Sequence, residues 1–145
     1  MFYAIINGPN LNLLGKRKPE IYGSETFEQT LQQIRKEFKD LRIEYFQSNS
    51  EGDLIDKIQE FGFEPSCGGI IINPGAYAHY SVAIADAIEG VPVPVIEVHI
   101  SNIHAREEFR HRSVTAGTAK AMIAGCGHKG YSLALQYLLN SGESK

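Results

Sequence analysis

Glu97 and His99 stand two residues apart in Val95-Ile96-Glu97-Val98-His99, a run rich in β-branched residues. Side chains alternate along a strand, so a carboxylate and an imidazole there point to the same face. A carboxylate beside an imidazole fixes the ring's orientation and favours its protonated form, the arrangement a general acid needs. A second group lies in the stretch 11–25, which holds Gly15, Gly23, Lys16, Arg17, Lys18 and Tyr22. Long loops in compact domains often serve as lids. Folding of this one brings the Arg17 guanidinium beside the Tyr22 phenol, where positive charge favours a phenolate. Lowering a tyrosine pKa from about 10 to about 8 takes roughly 2.7 kcal/mol, within reach of one or two arginines in a dehydrated pocket. Each group taken alone has a plainer reading: a polar pair satisfied at a strand end, and a solvated basic loop with a packing tyrosine.

The elements that must position these groups follow from hydrophobic period. Short β-branched runs alternate with helical segments, the pattern of βα units around a parallel sheet. The first run, Phe2 to Asn7, stops at Gly8-Pro9. From Thr26 to Leu41, Phe27, Leu31, Ile34, Phe38 and Leu41 form one apolar stripe, which predicts a helix. Thr26 with Gln29 three residues on has the form of a capping box. Ile43 to Gln47 reads as strand two; Ser50 caps a helix whose inner face is Leu54, Ile55, Ile58 and Phe61. Ile70-Ile71-Ile72, within strand three from Gly68 to Asn73, is the continuous apolar run of a central strand covered on both faces. A helix over 81–89, strand four from Val93 to His99, strand five from Ala121 to Cys126 and a closing helix from Tyr131 to Leu139 complete the reading. Five strands with intervening helices predict an α/β fold, a flavodoxin-like three-layer sandwich with a parallel sheet of order 2-1-3-4-5. One catalytic domain over 1–145 is expected, with Ser141 to Lys145 as a loose tail.

In such a sheet ligands bind beyond the carboxyl ends of the strands, where strand order reverses. The first strand ends there in Asn7-Gly8-Pro9-Asn10, the third in Asn73-Pro74-Gly75, the fourth in His99-Ile100-Ser101-Asn102. What is missing discriminates between functions. No Ser/Thr/Gly-rich phosphate loop follows strand one, so an FMN site is not expected. Asn stands where a phosphoacceptor receiver needs acidic residues for Mg²⁺. No GxxxxGK[ST] occurs. The net charge of -3 and a pI near 5.9 give no bulk attraction to nucleic acid or anionic lipid. Met1 to Asn7 lacks the basic region and apolar length of a signal peptide or membrane span, which points to the cytoplasm. Cys67 and Cys126 form no CxxC pair and read as two reduced thiols. A metal on His99 and His104, or His104 and His111, lacks an HExxH or Cys/His set to support it.

These residues resemble one family, the type II 3-dehydroquinases, along nearly the whole chain. The resembling stretches are Asn7 to Gly15 with Arg17 and Tyr22-Gly23; Asn73-Pro74-Gly75-Ala76-Tyr77 with His79 and Ser81; Glu97 to Asn102; and Arg106-Glu107, Phe109-Arg110 and Ser113. Four fragments in order at matching spacing make the resemblance specific. Ala78, Ala85 and Lys18 depart from the expected pattern, which bears on subunit contacts and lid kinetics.

The resemblance implies reversible dehydration of 3-dehydroquinate to 3-dehydroshikimate, in the shikimate pathway of aromatic amino acid biosynthesis or in quinate catabolism, without metal or organic cofactor. By resemblance Tyr22 is the base, Arg17 activates it and closes the lid, Asn10 positions a water at the enolate, and His99, supported by Glu97, is the acid. The backbone N–H groups of Ile100 and Ser101, with the Ser101 hydroxyl, resemble a carboxylate cradle. Asn73, His79 and Arg110 read the ring hydroxyls. Asp86 matches a position that reaches a neighbouring subunit's site, which implies trimers assembled into a homododecamer. A non-enzymatic domain binding a small polyhydroxy acid is the alternative, but binding alone needs neither an acid nor a base.

Overall fold

A computed structural model describes residues 1–141. Five parallel strands, β1 (Phe2–Asn7), β2 (Arg42–Gln47), β3 (Cys67–Asn73), β4 (Val95–His99) and β5 (Ala121–Ala124), form one sheet in the order β2-β1-β3-β4-β5. The expected strand order is therefore the observed one. The helices are α1 (Pro19–Tyr22), α2 (Phe27–Glu37), α3 (Glu51–Gly62), α4 (Val82–Gly90) and α5 (Lys129–Ser141).

Alternation along the strands divides the core into two layers. Tyr3, Ile5, Ile71 and Ile96 face α2 and α5, where Phe27, Leu31, Ile34, Tyr131 and Leu135 meet them. Phe2, Ala4, Ile6, Ile70 and Ile72 face α3 and α4, packed on Leu54, Ile58, Ile84 and Ile88. Ile70, Ile71 and Ile72 are all fully buried, as a strand covered on both sides requires. At the start of α2 the Thr26 side chain accepts from the Gln29 N–H while the Gln29 side chain accepts from the Thr26 N–H, the reciprocal cap read from the sequence. Ser50 caps α3 and Ser81 caps α4 in the same manner at one end.

Several boundaries differ from expectation for identifiable reasons. α2 ends at Glu37; Phe38 takes a non-helical conformation, and Leu41 reaches the core from a turn instead. β4 begins at Val95, since Pro92 and Pro94 have no N–H to give a ladder. β5 ends at Ala124 because Gly125 adopts φ +87°. The expected loop 11–25 contains a 3-10 turn at Leu11–Leu13 and the one-turn helix α1, with Pro19 at its first position. No α-helix joins β4 to β5; three 3-10 turns, Ile103–Ala105, Glu108–Arg110 and Ala116–Thr118, replace it. That segment is rich in His, Arg and Glu and has too few apolar residues for a core-facing stripe. Ser141 closes α5 and is not tail; the rest of the expected tail, 142–145, lies outside the described residues. No described helix is long and apolar enough to cross a membrane.

Candidate active site

The carboxyl ends of β1, β3 and β4, the polar β4–β5 connection and α1 enclose one pocket of about 620 Å³, counting its mouth. Asn10, Arg17, Tyr22, Asn73, His79 and His99 all line it. So do Ile100, Ser101, Arg106 and Arg110. Strand exits supply Asn10, Asn73, His99, Ile100 and Ser101 because parallel strands end together at one sheet edge. Asn10, just beyond β1, holds φ +69° and is anchored by its N–H to Asn49 Oδ1 at 3.0 Å.

The imidazole rests on a buried polar cluster. His99 Nε2 lies 2.7 Å from Glu97 Oε2, and Glu97 is fully buried. Ser113 Oγ donates to the same oxygen at 2.7 Å, and Thr115 Oγ1 donates to Glu97 Oε1. Three donors therefore satisfy an acceptor-only group that burial would otherwise penalise heavily. With Nε2 committed to the carboxylate, Nδ1 is the ring nitrogen left to serve the pocket. His79 stacks near His99, ring centroids 6.1 Å apart, and its Nδ1 is 2.9 Å from the Arg112 carbonyl. A carbonyl only accepts, so that nitrogen carries the proton. Burial pushes the His79 imidazole below its ordinary pKa, the Arg112 carbonyl opposes this, and His99 and Arg110 add to the lowering. His79 is accordingly neutral at neutral pH, with Nε2 as an acceptor.

Tyr22 lines the same pocket beside two guanidinium groups. The Arg17 guanidinium carbon is 5.2 Å from the phenol ring centroid, over its face. Arg106 contributes more directly: Nη1 donates to the Tyr22 hydroxyl at 2.7 Å and approaches Ser101 Oγ at 3.4 Å. The Arg106 side chain is only 9% exposed. Its Nε and Nη2 are buried without a hydrogen-bond partner among the described residues. Arg106 stands in the motif Arg106-Glu107, from which no role for it follows. Its contact with Tyr22 spans 84 residues, and no local spacing signals it.

The remaining expected residues fall out as follows. Asn73 is buried at the pocket floor, where Nδ2 donates to the Tyr131 hydroxyl at 3.0 Å and Oδ1 accepts from the Gly75 N–H at 3.1 Å. That leaves one N–H and one lone pair for a ligand. Arg110 lines the pocket while its Nε donates to Glu107 Oε2 at 2.9 Å. Asp86 is exposed on α4 and does not line this pocket. His104 and His111 lie 5.7 Å apart as a ring pair, and no group of three or more His, Cys, Asp or Glu able to hold a metal occurs among the described residues.

Comparison with known proteins agrees along the whole length. A family model described as "Dehydroquinase class II" matches residues 1–139. A 3-dehydroquinate dehydratase of Clostridium botulinum strain Hall is 53% identical over 139 residues, covering 94% of this chain and 93% of that protein. Another, of Clostridium perfringens strain 13, is 54% identical over 147 aligned positions and covers both chains fully. Among solved structures, the type II dehydroquinase of Butyrivibrio crossotus superposes with a TM-score of 0.92 at 50% identity, covering 97% of this chain and 98% of that one. A 3-dehydroquinate dehydratase-like protein of Bifidobacterium longum, 28% identical, gives 0.65 over 96% of this chain and 98% of that one. Sheet order, pocket and sequence thus lead to one assignment: the chain belongs to the class II dehydroquinase family.

Proposed function

We propose that this chain reversibly dehydrates 3-dehydroquinate to 3-dehydroshikimate by an anti elimination through an enolate. The Tyr22 phenolate takes the proton from the carbon next to the ketone, leaving the electron pair as an enolate. The pair then forms the C=C bond as the β C–O bond breaks, and His99 gives a proton to the departing hydroxyl, so water leaves. The observation that carries this reading is the pairing inside one pocket. A phenol oxygen held by Arg106 at 2.7 Å shares it with an imidazole backed by a buried carboxylate at 2.7 Å.

Each group has a physical reason for its role. Arg106 at the hydroxyl and Arg17 over the ring stabilise negative charge on the phenol oxygen more than they stabilise the neutral phenol. Asn10 at the mouth holds a water against the enolate oxygen, where charge develops. Glu97 keeps the His99 ring aimed so that Nδ1 delivers its proton. Ile100 and Ser101 take the substrate carboxylate; Asn73, Arg110 and the Nε2 acceptor of His79 take the ring hydroxyls. Asp86, on the outer face of α4, serves a neighbouring copy's site in a trimer within a dodecamer, in line with the resemblance. No step in this route calls for a metal or an organic cofactor.

The test is a continuous assay of enone absorbance with a chelator present. Tyr22→Phe and His99→Ala are each expected to abolish turnover while circular dichroism and thermal unfolding stay near those of the parent. Full turnover in Tyr22→Phe would remove the assigned base.

A further inference from the structure

Tyr22 ends α1, a helix of four residues with no buried member. One helical turn does not hold itself in water, because nucleation costs more than a single turn returns. Lys18 at φ +41° and Gly23 at φ +80° bracket it, so neither neighbour extends it. The contacts of the phenol fix the side chain, but the main chain that carries it needs a separate anchor.

His128 supplies one. It follows Gly127 (φ +61°) in the turn between β5 and α5, and its side chain is only 13% exposed. Nε2 lies 3.2 Å from the Tyr22 carbonyl oxygen, which only accepts, so Nε2 carries the proton. On its other side Nδ1 meets Thr30 Oγ1 of α2 and lies 3.3 Å from Glu25 Oε2. Thr30 Oγ1 also lies 3.0 Å from that carboxylate oxygen, which holds both partners in place. The turn itself is tied to the pocket wall, since the Gly127 N–H donates to the Ile100 carbonyl at 3.0 Å. A chain of contacts therefore runs from the loop after β4, through the β5–α5 turn, to the backbone of Tyr22. His128 does not line the pocket.

We propose that His128 is a positioning residue that clamps the main chain of Tyr22, holding the phenol at the distance and angle proton abstraction needs. The proposal rests on the reading of Tyr22 as the base. A misplacement far smaller than a side chain is enough to slow such a step.

The experiment uses the full chain with three substitutions. His128→Gln places a donor near the position of Nε2; His128→Asn keeps a polar group near Nδ1 but falls short of the carbonyl; His128→Leu removes both contacts. With one ordinary hydrogen bond lost from the reacting geometry, kcat is expected to fall about threefold to tenfold in His128→Asn and His128→Leu. KM is expected to move less than about twofold, and His128→Gln to stay within about twofold of the parent in kcat. Hydrogen–deuterium exchange across 18–25 should quicken in His128→Asn and His128→Leu and not in His128→Gln.

Unaltered exchange in His128→Asn overturns the clamp. Faster exchange with unaltered kcat overturns its catalytic part, and equal losses in Gln and Asn variants reduce His128 to a space-filling residue, which also overturns it. Failure of Tyr22 as base is read separately, from turnover in Tyr22→Phe.

Discussion

Arg106 shows what a single residue contributes here. Its Nη1 bonds the Tyr22 hydroxyl, while Nε and Nη2 are buried without hydrogen-bond partners among the described residues, and the Glu107 carboxylate stands 3.8 Å from Nε. Leaving such donors unpaired is costly in a folded chain, and their position beside the phenol proposed as the base gives that cost a functional reason. A charged hydrogen bond is worth about 1.5–3 kcal/mol, and a cation over an aromatic face about 0.5–2. Arg106→Gln should therefore lower kcat about tenfold to a hundredfold, and Arg17→Gln by less. Steady-state kinetics on the two variants decides it; a larger loss for Arg17→Gln would reverse their ranking. The Glu97–His99 pair was legible because strand alternation is local. The Arg106–Tyr22 contact was not, because nothing between the two residues encodes their meeting.

At the scale of elements, the pocket depends on how closely β1 and β3 exit the sheet. The Gly8 N–H donates to the Asn73 carbonyl at 2.8 Å, extending the ladder one step past the strands. A Cβ on Gly8 would stand 2.5 Å from the Pro74 carbonyl oxygen and 2.8 Å from its carbon. Both are backbone atoms, so no side chain can swing aside. Gly8→Ala is expected to destabilise by about 1–3 kcal/mol, the usual cost of overpacking, and to weaken substrate binding by spreading Asn10 from Asn73. Urea unfolding and KM together test this; a variant with parental stability would show that the exits tolerate separation. Element identities were readable from the sequence wherever caps and period agreed, as at Thr26 and Ser50. They were less so at strand ends, where Pro94 and Gly125 decide the boundary by removing a donor or turning the backbone.

Across the whole molecule, Tyr131 ties the closing helix to the sheet and the site. Its hydroxyl donates to Asn7 Oδ1 at 2.8 Å and accepts from Asn73 Nδ2 at 3.0 Å, joining α5 to β1 and β3 beneath the pocket. Burial pushes its pKa well above 10.0, and the asparagine bonds oppose this only in part. The folded chain thus keeps the phenol proton when the unfolded chain, with its ordinary value near 10, gives it up. The folded state then binds more protons, so this contribution to stability is present below about pH 10 and declines as pH rises beyond it. Tyr131→Phe should cost about 1–3 kcal/mol at neutral pH by leaving two buried amides short of a partner. It should also flatten the alkaline loss of stability. Denaturant titrations at pH 7 and above pH 10 check both, and an unchanged slope in the variant would assign the alkaline loss to other groups.

The sequence by itself determined the order of the elements, the strand order, the two faces of the core and the edge at which polar residues gather. Those properties follow from alternation, helical period and capping, which act over a few residues. Only the tertiary structure decided which arginine bonds Tyr22, that the β4–β5 connection is a polar run of 3-10 turns, and that His128 and Tyr131 brace the site from α5's end of the chain. Those contacts join segments 58 to 124 residues apart. They arise from where the sheet delivers its loops, a consequence of closure that no short stretch of residues carries on its own.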